Sequence, residues 1–141
     1  MRVRGVAEVE EGAALPELRR TVTREDVKAY ADAGGDQNPL HQDDEVARAA
    51  GFDGIIAHGM FTMGVMAACL TSWVGDPAAV RRLQAQFRSP VFMGEELVAG
   101  GRVRSVDLEE RTATVELWVT VERDGDREWP IKRGEALVQL G

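Results

Sequence analysis

Residues 54–75 read GIIAHGMFTMGVMAACLTSWVG, a run of 22 residues without Asp, Glu, Lys or Arg. The run is long enough to cross a membrane as a helix. However, it contains His58 and four glycines, and its flanks are the acidic Asp53 and Asp76 rather than basic anchors. It therefore predicts a buried helix that begins near Gly59. Because a helix that is apolar on every face must be covered on every face, we expect the rest of the chain to wrap around it.

Composition sets the class of protein. The chain has 141 residues, 44% of them hydrophobic, and a formal net charge of −7 from 17 basic and 24 acidic side chains. This size predicts one globular domain over residues 1–141, and the acidic balance argues against a nucleic-acid-binding surface. The single cysteine, Cys69, excludes an internal disulfide, and the N-terminus has no apolar run typical of a signal peptide. We therefore expect a cytoplasmic protein without a membrane segment.

The second half of the chain predicts an antiparallel sheet. Residues 112–122 alternate apolar and polar side chains, which is the period of a half-buried strand. Asp124-Gly125 predicts a tight turn into a second strand over residues 127–140, which Pro130 and Gly134 are expected to interrupt. Further strands are expected over residues 82–89 and 96–108, and an edge strand over residues 18–22.

Between the edge strand and the buried helix, the sequence predicts two short helices and a polar loop. Thr23 is a suitable N-cap for the first helix, and Gly34-Gly35 ends it. The second helix is expected to begin at Asp43 or Asp44 and to end at Ala50. The segment before Pro39 cannot continue the first helix, because the residue before a proline avoids the helical region. A polar loop therefore separates the two helices.

This loop carries the first candidate chemical group. Asp36 and His41 lie five residues apart across Pro39, so their side chains can converge on one point. A carboxylate and an imidazole sharing one water suit general acid and base catalysis. Taken alone, the same residues are equally typical of a simple turn, since Asp and Asn favour turns.

The second candidate group lies where the uncharged helix begins. A helix start presents free backbone N–H groups, and at Gly59 such a group can approach a ligand closely. In an apolar setting this N–H can stabilise negative charge on a carbonyl oxygen. For the neighbouring His58, the sequence favours a packed or loop-bonding histidine over a proton carrier. An acid, a base and an oxyanion donor together suit elimination or addition next to a thioester carbonyl.

These two segments resemble a known family. Residues 35–41, GDQNPLH, resemble the hydratase motif of the MaoC-like (R)-specific enoyl-CoA hydratases and (3R)-hydroxyacyl dehydratases, and residues 57–60, AHGM, are similar to that family's second motif. The resemblance extends to the catalytic B subunit of the mycobacterial-type (3R)-hydroxyacyl-acyl-carrier-protein dehydratases, through residues 57–64 and 71–77. It covers the chain from about residue 23 onward.

The resemblance implies an α+β hot-dog fold, in which a curved antiparallel sheet wraps a long central helix. It implies reversible dehydration of (3R)-hydroxyacyl thioesters, carried on acyl carrier protein or CoA, in fatty acid elongation or related acyl metabolism, with no cofactor and no metal. Asp36 and His41 are implied as the catalytic dyad. Asn38 and Gly59 are implied on the substrate side, where Asn38 helps hold the loop and the Gly59 N–H binds the thioester carbonyl oxygen. Some family members carry a serine where this sequence has Ala67.

Several alternatives remain at this point. The chain fits a homodimeric (R)-specific enoyl-CoA hydratase or one subunit of a hot-dog heterodimer; a non-catalytic subunit is disfavoured, because both dyad residues are present. A metal site built from Asp36, His41, Asp43 and His58 is disfavoured, because these residues lack a ligand spacing. The apolar residues near the start of the central helix could line an acyl tunnel, but they are more typical of a hydrophobic core. They are Met60, Phe61, Met63, Val65 and Met66.

A local excess of arginine predicts a positive surface within the acidic chain. Between residues 81 and 104, five arginines face two glutamates. Such a surface could bind an acidic carrier protein or the phosphates of CoA, although solvated charges on strand faces are the more common outcome. The arginines are Arg81, Arg82, Arg88, Arg102 and Arg104.

Overall fold

The structure is a computed structural model that describes residues 2–141. It contains three α-helices, a five-stranded sheet and three short 3₁₀ turns. In chain order the main elements are β1 (Leu18–Thr21), α1 (Arg24–Gly34), α2 (Asp44–Ala49), α3 (Gly59–Val74), β2 (Val80–Gln84), β3 (Glu96–Asp107), β4 (Thr112–Arg123) and β5 (Asp126–Gln139).

The sheet is antiparallel throughout and packs on α3. Its strand order is β1-β3-β4-β5-β2, so the hairpins of the second half form the centre and β1 and β2 form the edges. The inward side chains of β3, β4 and β5 join α3 in one apolar core. The β4–β5 hairpin turns at Asp124 and Gly125, both with positive φ, as expected for a two-residue turn between twisted strands.

Strand β5 runs through the two residues that were expected to interrupt it. Its pairing with β4 shifts twice, between Leu117 and Val119 and again between Val119 and Val121, so β5 carries an extra residue in each interval. Pro130 lies in the second bulge, where a missing N–H breaks no ladder bond. Such bulges bend a strand and increase its twist, and here they let the sheet curve around α3.

Strand β2 is shorter than predicted and ends at Gln84 instead of residue 89. Beyond it, the chain meets β5 only at the isolated bridge between Phe87 and Ile131 and through a bond from the Arg88 N–H to the Pro130 carbonyl. Between the Gln84–Glu135 pair and the Phe87–Ile131 bridge, the segment after β2 advances by three residues while β5 advances by four. This mismatch ends regular pairing and brings Phe87 against the start of α3.

Helix α3 is the predicted central helix, but the chain covers only part of its surface. One face is buried in the core through Thr62, Val65, Met66, Cys69, Leu70, Trp73 and Val74. The opposite face stays open, with Gly64 and Ser72 exposed and Met60 exposed to 55%. The expectation that this chain covers the helix on all sides is therefore wrong. None of the helices in residues 2–141 combines the length and apolar character needed to cross a bilayer.

The helix ends before the candidate site follow the local signals in the sequence. Thr23 accepts a hydrogen bond from the Asp26 N–H, and Asp26 accepts one from the Thr23 N–H, which forms the predicted capping box. Gly35 ends α1 in the left-handed conformation at φ 79°. Asp43 caps α2 by accepting from the N–H groups of Glu45 and Val46. These caps fix both ends of the polar loop that contains Asp36 and His41.

Candidate active site

The loop between α1 and α2 is held by hydrogen bonds from its own side chains. Asp36 Oδ1 accepts from the Asn38 N–H at 3.2 Å, and Asn38 Oδ1 accepts from the Leu40 N–H at 3.0 Å. Asn38 thereby caps a single 3₁₀ turn over Pro39–His41, with Pro39 at its first position. The turn brings Asp36 and His41 to the same side of the loop, and Asn38 occupies the loop-holding position.

Asp36 and His41 form a pair beside the first residue of α3. Asp36 Oδ2 lies 3.9 Å from His41 Nε2, which is too long for a direct hydrogen bond but short enough for one water to contact both atoms. The two environments differ, since the Asp36 side chain is 57% exposed and the His41 side chain only 12%. The pair therefore combines a solvent-facing carboxylate with a mostly buried imidazole.

A backbone carbonyl fixes the orientation of the His41 ring. His41 Nδ1 lies 2.7 Å from the Ile56 carbonyl oxygen, which can only accept, so Nδ1 carries the proton when the ring is neutral. The Ile56 segment is itself anchored, because its N–H donates to the Leu40 carbonyl and the Ile55 N–H donates to Asp44 Oδ1. Nε2 consequently presents its lone pair toward Asp36.

His58 is the packed histidine that the sequence favours. It is 3% exposed, and its Nε2 lies 3.0 Å from the Asp36 carbonyl oxygen, so this nitrogen donates. Its ring stacks on the His41 ring with centroids 3.8 Å apart and planes at 24°. Its Nδ1 is buried and finds no hydrogen-bond partner within the described chain.

Gly59 begins α3 beside the pair. The first residues of a helix lack intrahelical acceptors for their N–H groups, and the His58 side chain does not cap this end. Gly59 is exposed, and a Cβ added to it would lie 3.4 Å from the Phe87 ring. A free backbone N–H therefore sits at the positive end of the helix dipole, close to the dyad and flanked by an aromatic ring.

Two cavities meet at these residues. His41, Gly59 and Phe87 line both of them. The first, about 300 Å³, has mostly apolar walls that include Phe52, Ile56, Val91 and Pro130; the second, about 390 Å³, is lined by Tyr30, Gly34, Asp36, His58 and Met60. A ligand that passes the dyad can thus place one part in the apolar cavity and another in the cleft that contains Asp36.

The side chains of α3 divide between core and site. Met66 and Val65 are buried in the core, and Phe61 and Met63 pack against it, so only Met60 of the five candidate tunnel residues lines either cavity at the dyad. Thr62 lines the apolar cavity one turn into the helix, whereas the Thr71 hydroxyl donates to the Ala68 carbonyl. The interpretation of this face as core is therefore correct for four of the five residues.

Several residues at the site carry no sequence signal. Phe87 lies in a segment that the sequence predicts as strand, and Tyr30 lies within the first predicted helix. Ile56 takes part through its carbonyl, a group that every residue has. Only the structure reveals that these residues surround the dyad.

The candidate metal ligands are only partly together. Asp36, His41 and His58 have ligand atoms within 4.8 Å of one another, while Asp43 is engaged in capping α2. The His58 nitrogen that faces the other two donates its proton to the Asp36 carbonyl. Because a metal ligand must offer a lone pair, this donor set fits a metal poorly unless that bond breaks.

Ion pairs with glutamates involve three of the five arginines of residues 81–104. Arg102 and Arg104 bind Glu116, and Arg82 and Arg104 bind Glu135, with distances of 2.8 to 3.3 Å. The Arg102 guanidinium, with help from Arg104, holds the pKa of the Glu116 carboxyl below its usual range. Arg81 and Arg88 contact the side-chain amides of Gln139 and Gln86. Within residues 2–141, three of these five arginines therefore pair with acids, and Arg81 and Arg88 do not.

Comparison with known proteins places the chain in a family. Residues 7–125 match the MaoC-like domain. A mitochondrial 3-hydroxyacyl-acyl-carrier-protein dehydratase of Arabidopsis thaliana is 40% identical over 92 residues, which are 64% of this chain and 53% of that enzyme. A 3-hydroxybutyryl-CoA dehydratase of Methylorubrum extorquens is 32% identical over 124 residues, 87% of this chain and 76% of that enzyme.

A solved structure agrees with these relatives. An (R)-hydratase from A. caviae superposes with a TM-score of 0.84 at 25% identity, over 94% of this chain and 98% of that one. The expected hot-dog fold is thereby confirmed. The match spans about half the length of the Arabidopsis enzyme but nearly all of the A. caviae hydratase. The chain belongs to the MaoC-like dehydratase family.

Proposed function

We propose that the protein is a hydro-lyase that interconverts (3R)-hydroxyacyl thioesters and trans-2-enoyl thioesters. Asp36 and His41 are its acid and base, and the Gly59 N–H is its oxyanion donor. Fatty acid elongation or related acyl metabolism supplies the substrate. The observation that carries the proposal is the 3.9 Å gap between Asp36 Oδ2 and His41 Nε2, next to the free N–H at the start of α3.

The proposed reaction follows from these groups. The thioester carbonyl oxygen accepts the Gly59 N–H, which stabilises the negative charge that develops on that oxygen when C2 loses its proton. The Asp36–His41 pair takes that proton and gives a proton to the hydroxyl at C3, which leaves as water. In the reverse direction a water between Asp36 Oδ2 and His41 Nε2 is activated and adds to C3. Neutral His41 is ready to accept a proton, since Nδ1 donates to Ile56 and Nε2 is free.

The apolar cavity suits the acyl chain. This cavity of about 300 Å³ shares His41 and Gly59 with the cleft that Asp36 and Tyr30 line. The cleft then receives the pantetheine arm. Burying a chain against Phe52, Ile56 and Val91 gains free energy with each methylene.

The charges disfavour docking of an acyl carrier protein on this chain alone. Three of the five arginines share ion pairs with Glu116 and Glu135, and the net charge is −7. An acidic carrier protein would meet repulsion unless a partner subunit supplies the positive surface. A homodimeric (R)-specific enoyl-CoA hydratase is therefore the second candidate.

We also propose that the protein pairs with another hot-dog subunit, either a second copy or a related chain. The open face of α3, with Met60 and Gly64, supports this because an apolar helix face gains stability when it is covered. Light scattering on the purified protein, alone and with candidate partner subunits, measures the mass and should give that of a dimer.

The lone thiol, Cys69, is buried and unpaired, which suits the reducing cytoplasm.

Hydration of crotonyl-CoA by the purified protein tests the proposed function. We expect turnover by the wild type and a loss of about 10²–10⁴-fold in kcat for Asp36→Asn and for His41→Ala, because each removes one member of the acid–base pair. Circular dichroism should show that both variants keep the fold. A wild type that hydrates neither CoA nor carrier-protein enoyl esters, alone or with candidate partner subunits, would contradict the proposal.

A further inference from the structure

We propose that His58 is a positioning residue for the dyad: it holds the Asp36 loop and the His41 ring in place and does not itself carry a proton. This inference rests on the proposed function, in which Asp36 and His41 perform the chemistry. The conformation of the loop, however, is measurable whether or not the protein is active.

The first contact joins the loop to the central helix. His58 is the N-cap residue of α3, and its Nε2–H donates to the Asp36 carbonyl at 3.0 Å. The other bonds of Asp36 and Asn38 stay within the loop, to the N–H groups of Asn38 and Leu40. The His58 bond therefore ties the backbone of Asp36 to the same helix start that presents the Gly59 N–H.

The second contact restricts the His41 ring. His58 lies between two rings, stacked on His41 at 3.8 Å and tilted against Tyr30 at 5.0 Å. Tyr30 in turn meets Phe61 edge to face at 5.9 Å. With the Ile56 carbonyl fixing Nδ1 on one edge, the stack fixes the plane of the His41 ring.

The surroundings of His58 oppose a role as a proton carrier. Its Nε2 proton is committed to the Asp36 carbonyl, and its Nδ1 is buried without a partner among the described residues. A proton added at Nδ1 would create a buried N–H donor with no acceptor, which is costly. The side chain is 3% exposed, so solvent offers little relief.

The test compares His58→Gln with His58→Asn. The Gln side-chain amide reaches about as far as His Nε2 and can still donate to the Asp36 carbonyl, whereas the Asn amide is one methylene shorter and cannot. Both are polar and uncharged. We expect His58→Asn to lower kcat for crotonyl-CoA by about 100-fold with KM nearly unchanged, since displacement of about 1 Å at a reacting group has such effects. We expect the kcat of His58→Gln to be about tenfold or more above that of His58→Asn.

Thr71→Val is the matched control, because it removes one side-chain hydrogen bond of α3, to the Ala68 carbonyl, at a residue that lines neither cavity; its kcat should match the wild type. The proposal is overturned if Gln and Asn variants lose activity equally, if both keep wild-type activity, or if the Gln variant falls to the level of His41→Ala. Hydrogen exchange of residues 35–42 provides a readout independent of turnover. Faster exchange in His58→Asn but not in His58→Gln supports the proposal even for an inactive wild type, and equal exchange in both contradicts it.

Discussion

The Nδ1–H of His41 donates to the carbonyl of Ile56 at 2.7 Å, and this bond leaves Nε2 as the ring nitrogen that can accept a proton. Ile56 is followed directly by Ala57, His58 and Gly59. One short segment therefore orients the proposed base, ties down the Asp36 loop and starts the helix with the free N–H. A small displacement of this segment would change all three groups together.

Gly59→Pro tests the oxyanion donor without removing the helix. Proline is well accepted at the first position of a helix, and the preceding His58 already has φ −61° and ψ 138°, which a following proline allows. The variant removes the N–H and adds the carbons of the proline ring. We expect kcat for crotonyl-CoA hydration to fall by about 10²–10³-fold, as for other oxyanion donors, with helix content unchanged by circular dichroism.

Gly59→Ala is the matched control for the proline variant. It keeps the N–H and adds a Cβ at 3.4 Å from the Phe87 ring, a contact that a small ring movement relieves. Its kcat should stay within about tenfold of the wild type. Equal losses in both variants would mean that steric contact with Phe87, and not the missing N–H, causes the effect.

The parts of the fold that depend on burial were predictable from the sequence. The positions of helix α3 and strand β4 match their predictions, because an uncharged run is typical of a core helix and a strict alternation is typical of a half-buried strand. The open face of α3 was not predictable from this run. The pairing of the predicted positive surface with glutamates was not predictable, because the sequence does not give the register of distant strands. Arg102 lies opposite Glu116, and Glu116 opposite Glu135, only through the pairing of β3, β4 and β5.

The candidate site was predictable in its side chains but not in its hydrogen bonds. The polar loop indicated Asp36 and His41, and the resemblance to the MaoC-like family added Asn38. The structure brings the three residues together beside Gly59. The orientation of both histidines depends on the carbonyls of Asp36 and Ile56. Every residue has such a carbonyl, so no residue type marks these contacts.

Phe52→Ala should shift the acyl-chain preference toward longer substrates. Phe52 lines the apolar cavity, and its truncation lengthens the space available beyond the dyad. Each further methylene that becomes buried gains about 0.8 kcal/mol, roughly fourfold in kcat/KM. We expect the ratio of kcat/KM for octenoyl-CoA over crotonyl-CoA to rise by at least that factor. Phe92→Ala, which removes an aromatic ring outside both cavities, should leave the ratio unchanged; a shift in both variants would indicate general loosening.

Asp44 should contribute to stability above about pH 4 and lose this contribution in acid. The Ile55 N–H, and next the Arg24 guanidinium, hold the pKa of the Asp44 carboxyl below its ordinary value. A carboxyl whose pKa is lower in the folded state stabilises the fold above its unfolded pKa, and this stabilisation disappears as the pH falls through the folded pKa. The urea midpoint of Asp44→Asn should lie below that of the wild type at pH 6, and this difference should shrink as the pH falls below about 4. Asp53→Asn, at an exposed neighbouring position, should have the same urea midpoint as the wild type across this pH range.

Gly134 is required by close packing in the middle of β5. A Cβ at this position would lie 2.7 Å from Met66 Sδ and 2.9 Å from the Leu117 carbonyl oxygen. The methionine can move, but the carbonyl belongs to the backbone of β4 and cannot. We expect Gly134→Ala to lower the free energy of unfolding by about 1–3 kcal/mol, measured by urea denaturation. Adding Met66→Leu, which removes the sulfur from the contact, should restore only part of this loss because the Leu117 carbonyl remains. Complete recovery in the double variant would mean that Met66 alone excludes a side chain here, and an unchanged stability in Gly134→Ala would show that the sheet yields at this point.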